Sequence, residues 1–212
     1  MNKKIAILAL ALCMVAAIAI TGTLAYFNDV EVANNVFTVG NVDIELTEPK
    51  WEEEGKEDGK EAYPGEALAK DPTVKNVGEN PCFVRVKVEG LDQFVEKFGA
   101  EALIWIRNAN YELNKPNADW TLHTDGYIYY NTVLESGKTT VTPAFSHIVL
   151  PTQITNDAAT KDVVVTAQAV QAQGAAPSWS TQVNNPEYMT VEKIAAWFAQ
   201  AYSDTVAADP NY

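Results

Sequence analysis

The pattern of apolar and polar positions indicates a chain built mainly of short strands. Apolar residues alternate with polar ones over residues 42–47, 83–88 and 163–170, the period-two pattern of a strand with one buried face. Turn-forming pairs such as Pro64-Gly65 and Asp125-Gly126 separate the β-prone segments. The sequence therefore predicts a mainly β fold, an antiparallel β-sandwich. Further short strands are expected at residues 103–106, 120–122, 127–130 and 148–150.

Two segments depart from the strand pattern and have helical spacing. Their apolar residues recur at intervals of three and four, which places them on one face of a helix. The second segment, from about residue 190 to about residue 202, follows Thr190, a good N-cap residue. We expect both to be short peripheral helices packed against the sandwich. The residues concerned are Leu91, Phe94, Val95 and Phe98 in the first segment, and Val191, Ile194, Trp197, Phe198 and Ala201 in the second.

The segments around the first strands are expected to differ in character. Residues 48–61 contain seven acidic residues and three lysines, with little to bury, so they are predicted to form an acidic, solvated loop. Residues 73–77 and 83–88 are separated by a turn-rich stretch. This arrangement favours a hairpin between the two segments.

The N-terminus has the order of a secretory signal peptide. Lys3 and Lys4 precede the apolar residues 5–20, and Ala25 is a small residue suited to cleavage. The alternative is a membrane anchor, although this apolar run is shorter than the roughly 20 residues that span a bilayer. We therefore predict a cleaved signal peptide at residues 1–25, no stable membrane anchor, and a secreted protein of the extracellular matrix or cell surface.

Cleavage after Ala25 would leave an acidic chain with one cysteine. Residues 1–25 carry two lysines and no acid, so the net charge would change from −13 to −15. Such a chain is not expected to bind nucleic acid, because phosphates would be repelled. Cys13 lies in the predicted signal peptide, and Cys82 is then left without an intramolecular partner. We expect Cys82 to be buried, the alternative being a thiol that reacts with another molecule.

The residue types that carry catalysis do not form a recognisable pattern. His123 and His147 do not lie in a His-Glu-x-x-His motif, and there is no Gly-x-Ser-x-Gly motif. The acids of residues 48–61 lack the spacing of a calcium-binding loop. We therefore expect no catalytic, metal or cofactor-binding residue and no enzymatic activity. The aromatic residues Trp120, Tyr127 and Tyr129 either line a glycan-binding face or fill the core.

Several motifs resemble those of a known family of secreted proteins. Residues 21–29, Thr-Gly-Thr-Leu-Ala-Tyr-Phe-Asn-Asp, resemble the cleavage region of substrates of the SipW type of signal peptidase. Residues 36–44, Val-Phe-Thr-Val-Gly-Asn-Val-Asp-Ile, are similar to the start of mature TasA and camelysin proteins. Residues 63–66, 74–78, 84–88, 125–131 and 167–172 show further similarity.

The resemblance implies a fold and a function. It implies a jelly-roll-like sandwich that assembles into biofilm-matrix fibres, either as a head-to-tail homopolymer or with related fibre subunits. In such fibres an N-terminal donor strand inserts into the next subunit, and the matching segment here is residues 26–37. The donor residues would be Tyr26, Phe27, Val30, Val32, Val36 and Phe37. The alternatives are a cell-envelope binding module or adhesin, and a metallopeptidase like that described for camelysin.

Overall fold

The computed structural model describes residues 42–60, 62–155, 162–173 and 189–208, the last six of them by their backbone alone. The expected signal peptide, its cleavage position after Ala25 and the donor segment 26–37 lie outside the described residues. Within the described residues, none of the helices has the length and apolar character required to cross a membrane.

Short strands and three helical segments make up the described chain. The strands are β1 (Ile44–Thr47), β2 (Ala67–Ala69), β3 (Thr73–Asn76), β4 (Cys82–Glu89), β5 (Trp105–Arg107), β6 (Trp120–Leu122), β7 (Tyr127–Tyr130), β8 (His147–Val149) and β9 (Val164–Gln171). The helical segments are α1, a π-helical turn Trp51–Gly55 continued by the α-helical turn Lys56–Asp58, α2 (Val95–Phe98) and α3 (Val191–Ala208).

The described strands form three antiparallel sheets. The largest has four strands in the order β6-β7-β4-β9, the second has three strands in the order β2-β8-β5, and the third pairs β1 with β3. The predicted mainly β, antiparallel fold is therefore confirmed.

The main hydrophobic core is shared by the inner faces of these sheets. Val84 and Val86 of β4 meet Leu68 of β2 and Ile148 of β8 in one buried cluster, which is the arrangement of a β-sandwich. A second cluster lies on the opposite face of the four-stranded sheet, where α3 covers it. The four-stranded sheet is thus buried on both faces.

The prediction of a hairpin between residues 73–77 and 83–88 is wrong. β3 pairs instead with β1, with Ile44 opposite Asn76, and β4 pairs with β7 on one side and β9 on the other. The reason lies in the two faces of β4. Both Phe83 and Val84 have no exposed surface, so the strand is stabilised most at the centre of a sheet that is covered on both sides.

The acidic segment 48–61 also differs from the expected loop, because α1 occupies most of it. Trp51 packs against the main core. Gly55 is buried so closely against β2 that any side chain there would collide with the carbonyl oxygen of Ala69. Most of the charged side chains remain in solvent, as their composition predicts. The helix is held against the protein by the contacts of Trp51 and Gly55. The many charged residues around these two positions made the segment look like a solvated loop in the sequence.

The predicted C-terminal helix is confirmed and is longer than expected. α3 runs from Val191 to Ala208, and the backbone N–H groups of Lys193 and Ile194 both donate to the carbonyl oxygen of Thr190. The first predicted helix is reduced to α2, which is preceded by turns over residues 91–94.

Candidate functional site

The outer edge of β9 is the longest unpaired strand edge in the part of the chain that the structure describes. β9 pairs with β4 over eight positions, from Cys82 opposite Gln171 to Glu89 opposite Val164, and no other described strand pairs with it. Val164 is 43% exposed at the start of this strand. An edge strand presents a row of backbone donors and acceptors that another strand can pair with.

A cleft of about 550 Å³ adjoins this edge. Its apolar wall comes from Leu68 and Ile148 of the three-stranded sheet, from Leu150 directly after β8, from Val163 directly before β9, and from Val165 near the start of β9. The volume is within the range of roughly 300–1,000 Å³ that is typical of ligand-binding clefts. An unpaired strand edge beside an apolar cleft can accept both the backbone and the alternate side chains of an added strand.

A partly buried ion pair lies in the polar wall of the cleft. The Lys70 Nζ is 2.8 Å from the Glu48 Oε2, and their side chains are only 4% and 18% exposed. The Lys70 ammonium also lies 4.4 Å from the centre of the Trp51 ring, a cation–π contact. The Glu48 Oε1 is buried and has no hydrogen-bond partner among the described residues. Desolvation by burial raises the pKa of Glu48 above 4.5, although the charge and hydrogen bond of Lys70 oppose this change.

The raised pKa of Glu48 predicts how its contribution to stability depends on pH. Because the folded pKa lies above the unfolded value, this contribution is fully present below pH 4.5 and is lost as the pH rises through the folded pKa. The free energy of unfolding of the wild type, measured relative to the Glu48→Gln variant, should therefore fall as the pH rises through this window. Denaturant titrations at several pH values measure the difference. A difference that rises with pH would show that attraction by Lys70 outweighs desolvation.

Two of the three aromatic residues considered for a glycan-binding face are buried, and the third, Tyr127, is half-buried. Trp120 is 3% exposed and its indole N–H donates to the carbonyl oxygen of Thr142. Tyr129 has no exposed surface. The guanidinium carbon of Arg85 lies 3.7 Å from the centre of the Tyr127 ring. A glycan-binding face made of Trp120, Tyr127 and Tyr129 is therefore wrong, and their interpretation as core and packing residues is correct.

Cys82 is buried, as predicted. It has no exposed surface, and its thiol lies 3.7 Å from the carbonyl oxygen of Leu134, to which it donates. Burial raises the pKa of Cys82 to about 12, and Glu135 adds to this effect. A thiol with such a pKa is almost entirely protonated at neutral pH and is a poor nucleophile.

The two histidines lie in different surroundings. The His123 Nδ1 is 3.0 Å from the Asp125 Oδ1 at the surface of the four-stranded sheet. His147 lies in β8, and its Nδ1 is buried without a hydrogen-bond partner among the described residues. Within the described ranges, no three residues of the His, Cys, Asp and Glu types are grouped so that they could hold a metal ion.

The sequence comparison identifies one family. The family model of the camelysin metallo-endopeptidases matches residues 1–82 of the 212 residues. This match confirms the resemblance to the TasA and camelysin family for that part of the chain. No curated protein and no solved structure gave a match.

The metal implied by the name of this family does not fit the residues described. Zinc peptidases hold their metal mainly through histidines with a nearby carboxylate, yet residues 1–82 contain no histidine. The two histidines of the chain, at positions 123 and 147, belong to no group of possible metal ligands in the described part of the structure. We therefore derive no catalytic step through a metal.

Sequence reasoning missed the cleft and its ion pair. The only local signal is Lys70, a charged residue that directly follows the apolar residues Ala67, Leu68 and Ala69. Its partner Glu48 lies 22 positions earlier. Glu48 belongs to a segment with many acidic residues, so the sequence does not indicate which of them is partly buried.

Proposed function

We propose that the protein is a secreted structural subunit of an extracellular biofilm-matrix fibre. In this proposal, residues 26–37 of one copy add as a strand to the outer edge of β9 in the next copy. The observation that carries the proposal is the unpaired edge of β9 beside an apolar cleft of about 550 Å³. The family model that matches residues 1–82 is named for metallo-endopeptidases, so the further support for a fibre is the resemblance of residues 21–29 and 36–44 to TasA proteins.

The donor segment has the pattern that this site requires. Val30, Val32 and Val36 share one parity, so in an extended strand their side chains point to the same face and would enter the cleft. Twelve residues at roughly 3.3 Å each span about 40 Å when extended. This length is enough to follow the whole eight-residue edge of β9.

Head-to-tail addition of this kind produces a filament. The donor and the acceptor are different surfaces of the same chain, so each added copy presents a new acceptor edge. A heterologous contact that does not close on itself continues as an open polymer. The predicted signal peptide is consistent with the proposal, because it would keep the donor segment tethered at the membrane until cleavage.

The proposal is of a structural protein rather than an enzyme. Cys82 is buried and protonated, and the histidines belong to no group of possible metal ligands among the described residues. The surface that this proposal uses is a strand edge beside a largely apolar cleft. Such a surface suits strand addition better than a chemical reaction.

Negative-stain electron microscopy of residues 26–212, at neutral and mildly acid pH, tests the proposal. We expect thin, regular filaments from the wild type and none from Val163→Asp, because the new carboxylate would lie in the apolar wall that receives the donor side chains. Val141→Asp is the matched control, since Val141 is 81% exposed and does not line the cleft. Near-UV circular dichroism should show that both variants are folded.

Two results would contradict the proposal. Wild-type protein that stays monomeric under both conditions would show that it does not polymerise by itself. Filaments of Val163→Asp that match those of the wild type would show that the cleft is not the acceptor.

A further inference from the structure

The outer face of the three-stranded sheet carries a group of cationic and aromatic side chains. Ile106 of β5 and Ile148 of β8 point into the main core. Their chain neighbours Trp105, Arg107 and His147 therefore lie on the opposite face, where all three are half-buried. Arg107 and His147 are directly opposite each other in the sheet, so their Cβ atoms are about 5 Å apart.

These two side chains contain polar atoms that the described protein does not satisfy. The Arg107 Nε and the His147 Nδ1 are both buried and lack a hydrogen-bond partner among the described residues. None of the ion pairs found in the described ranges includes Arg107, although the chain has 28 acidic residues. A buried donor without a partner destabilises a fold, so the two groups require an explanation.

Tyr111 extends this cluster into solvent. It is 74% exposed, and its ring centre lies 5.0 Å from the Arg107 guanidinium carbon. Its φ of 66° is in the left-handed region, an uncommon and strained conformation for a bulky residue. The exposed aromatic ring is therefore held beside the guanidinium at an energetic cost.

Hydrogen bonds of Asn108 keep this loop in place. The Asn108 Oδ1 accepts from the backbone N–H groups of Asn110 and Glu112, both at 3.0 Å. The Asn108 Nδ2 donates to the Glu112 Oε2 at 2.9 Å, and the N–H of Asn114 donates to the carbonyl oxygen of Ile106. The loop that carries Tyr111 is thus preorganised, which lowers the entropic cost of binding.

Positive charges outnumber negative ones among the groups that act on His147. Burial lowers the pKa of His147, and the positive charges of Arg107 and Lys50 lower it further, while Glu54 has the opposite effect. Two cations and one carboxylate thus act on His147, in a chain whose net charge is −13.

We propose that Trp105, Arg107, Tyr111 and His147 form a binding site for a carboxylate-bearing saccharide, such as a uronic acid residue of an acidic polysaccharide. The guanidinium of the half-buried Arg107 supplies the planar fork of donors that matches a carboxylate. The exposed ring of Tyr111 supplies a flat apolar face against which a sugar ring can pack. This site is separate from the β9 edge and its cleft, and it would tie a fibre subunit to an acidic matrix polymer.

Binding of soluble polygalacturonate to residues 26–212, the chain expected after signal-peptide cleavage, tests this site. In calcium-free buffer at physiological salt, we expect the Kd for polygalacturonate to be at least about ten-fold lower than those for neutral dextran and for polyglutamate. Dextran tests the need for the carboxylate, and polyglutamate tests the need for the sugar.

Variants locate the site. Arg107→Ala should weaken polygalacturonate binding by about ten-fold or more, because a charge-assisted contact is lost. Arg107→Lys should fall between this variant and the wild type, because it retains the charge without the fork. Tyr111→Ala should weaken binding by about three- to ten-fold. Lys138→Ala and Tyr63→Ala remove an exposed charge and an exposed ring elsewhere, and should change the Kd by less than about two-fold.

Each other outcome would overturn the inference. Equal binding of polyglutamate would show a general polyanion site, and unchanged binding by folded Arg107→Ala would place the site elsewhere. Absence of polygalacturonate binding to the wild type would also refute it. Electron microscopy of Arg107→Ala distinguishes loss of saccharide binding from loss of fibre assembly. We expect this variant to form filaments like the wild type.

Discussion

Deletion of residues 26–37 from a chain of residues 26–212 is expected to abolish filaments and leave a folded monomer. The deletion removes the proposed donor strand, while every described strand begins at Ile44 or later. The members of both core clusters that the structure describes begin at Val42, and we expect the shortened chain to fold on these residues. The outer edge of β9, which no described strand pairs with, would then have no donor strand to receive, and the monomers could not join.

Electron microscopy and analytical ultracentrifugation measure this result. A more specific variant keeps the segment and replaces two of the apolar side chains that share one face of it, Val30→Asp with Val32→Asp. This variant should not polymerise, because two carboxylates would have to enter the largely apolar cleft. The matched control is Asp29→Asn with Glu31→Gln, which changes the other parity and should retain filaments. Unchanged filaments after deletion of residues 26–37 would refute donor-strand assembly outright.

Phe198→Ala is expected to lower the free energy of unfolding by about 3–5 kcal/mol, as truncation of a buried phenylalanine typically does. Phe198 has no exposed surface and lies in the second core cluster, between α3 and the four-stranded sheet. Its ring centre is 5.7 Å from that of Tyr129 and 6.1 Å from that of Tyr202. Removal of the ring would leave a cavity under α3 and would expose one face of the Arg85 guanidinium, which lies 4.4 Å from the ring centre.

Denaturant titration followed by tryptophan fluorescence measures this change. The control on the same helix is Gln200→Ala, since Gln200 is exposed and should change the free energy of unfolding by no more than about 0.5 kcal/mol. A cost below about 1 kcal/mol for Phe198→Ala would show that α3 contributes little to the stability of the sheet that it covers.

Arg85 illustrates how α3 changes the environment that the strand pattern predicts. Alternation along β4 assigns Phe83, Arg85 and Lys87 to one face, and the two charges suggest that this face is solvated. In the structure Arg85 is 7% exposed. Its Nε donates to the Gln168 Oε1 at 2.8 Å and its Nη1 donates to the Tyr129 hydroxyl at 3.0 Å. A buried guanidinium is stable here because aromatic rings and neutral acceptors replace the water that it loses.

The positions of several strands and of the C-terminal helix could be predicted from the sequence alone. Strict alternation predicts β4 and β9, the β-prone residues 127–130 predict β7, and helical spacing after Thr190 predicts α3. These features succeed because strand and helix periodicity depend on neighbours in the chain, and burial of one face follows from the same pattern. The turns at Gly65, Gly126 and Gly137 are equally local, since each glycine has a positive φ.

The pairing of strands and the two candidate sites were decided only by the tertiary structure. β4 pairs with β7 and β9 rather than with β3, because one of its faces packs on the main core and the other is covered by α3. Glu48 meets Lys70 across 22 positions, and Arg107 meets His147 through the pairing of β5 with β8. No local pattern can reveal such contacts, because the free energy that brings these residues together comes from burial of the surrounding sheets rather than from the residues themselves.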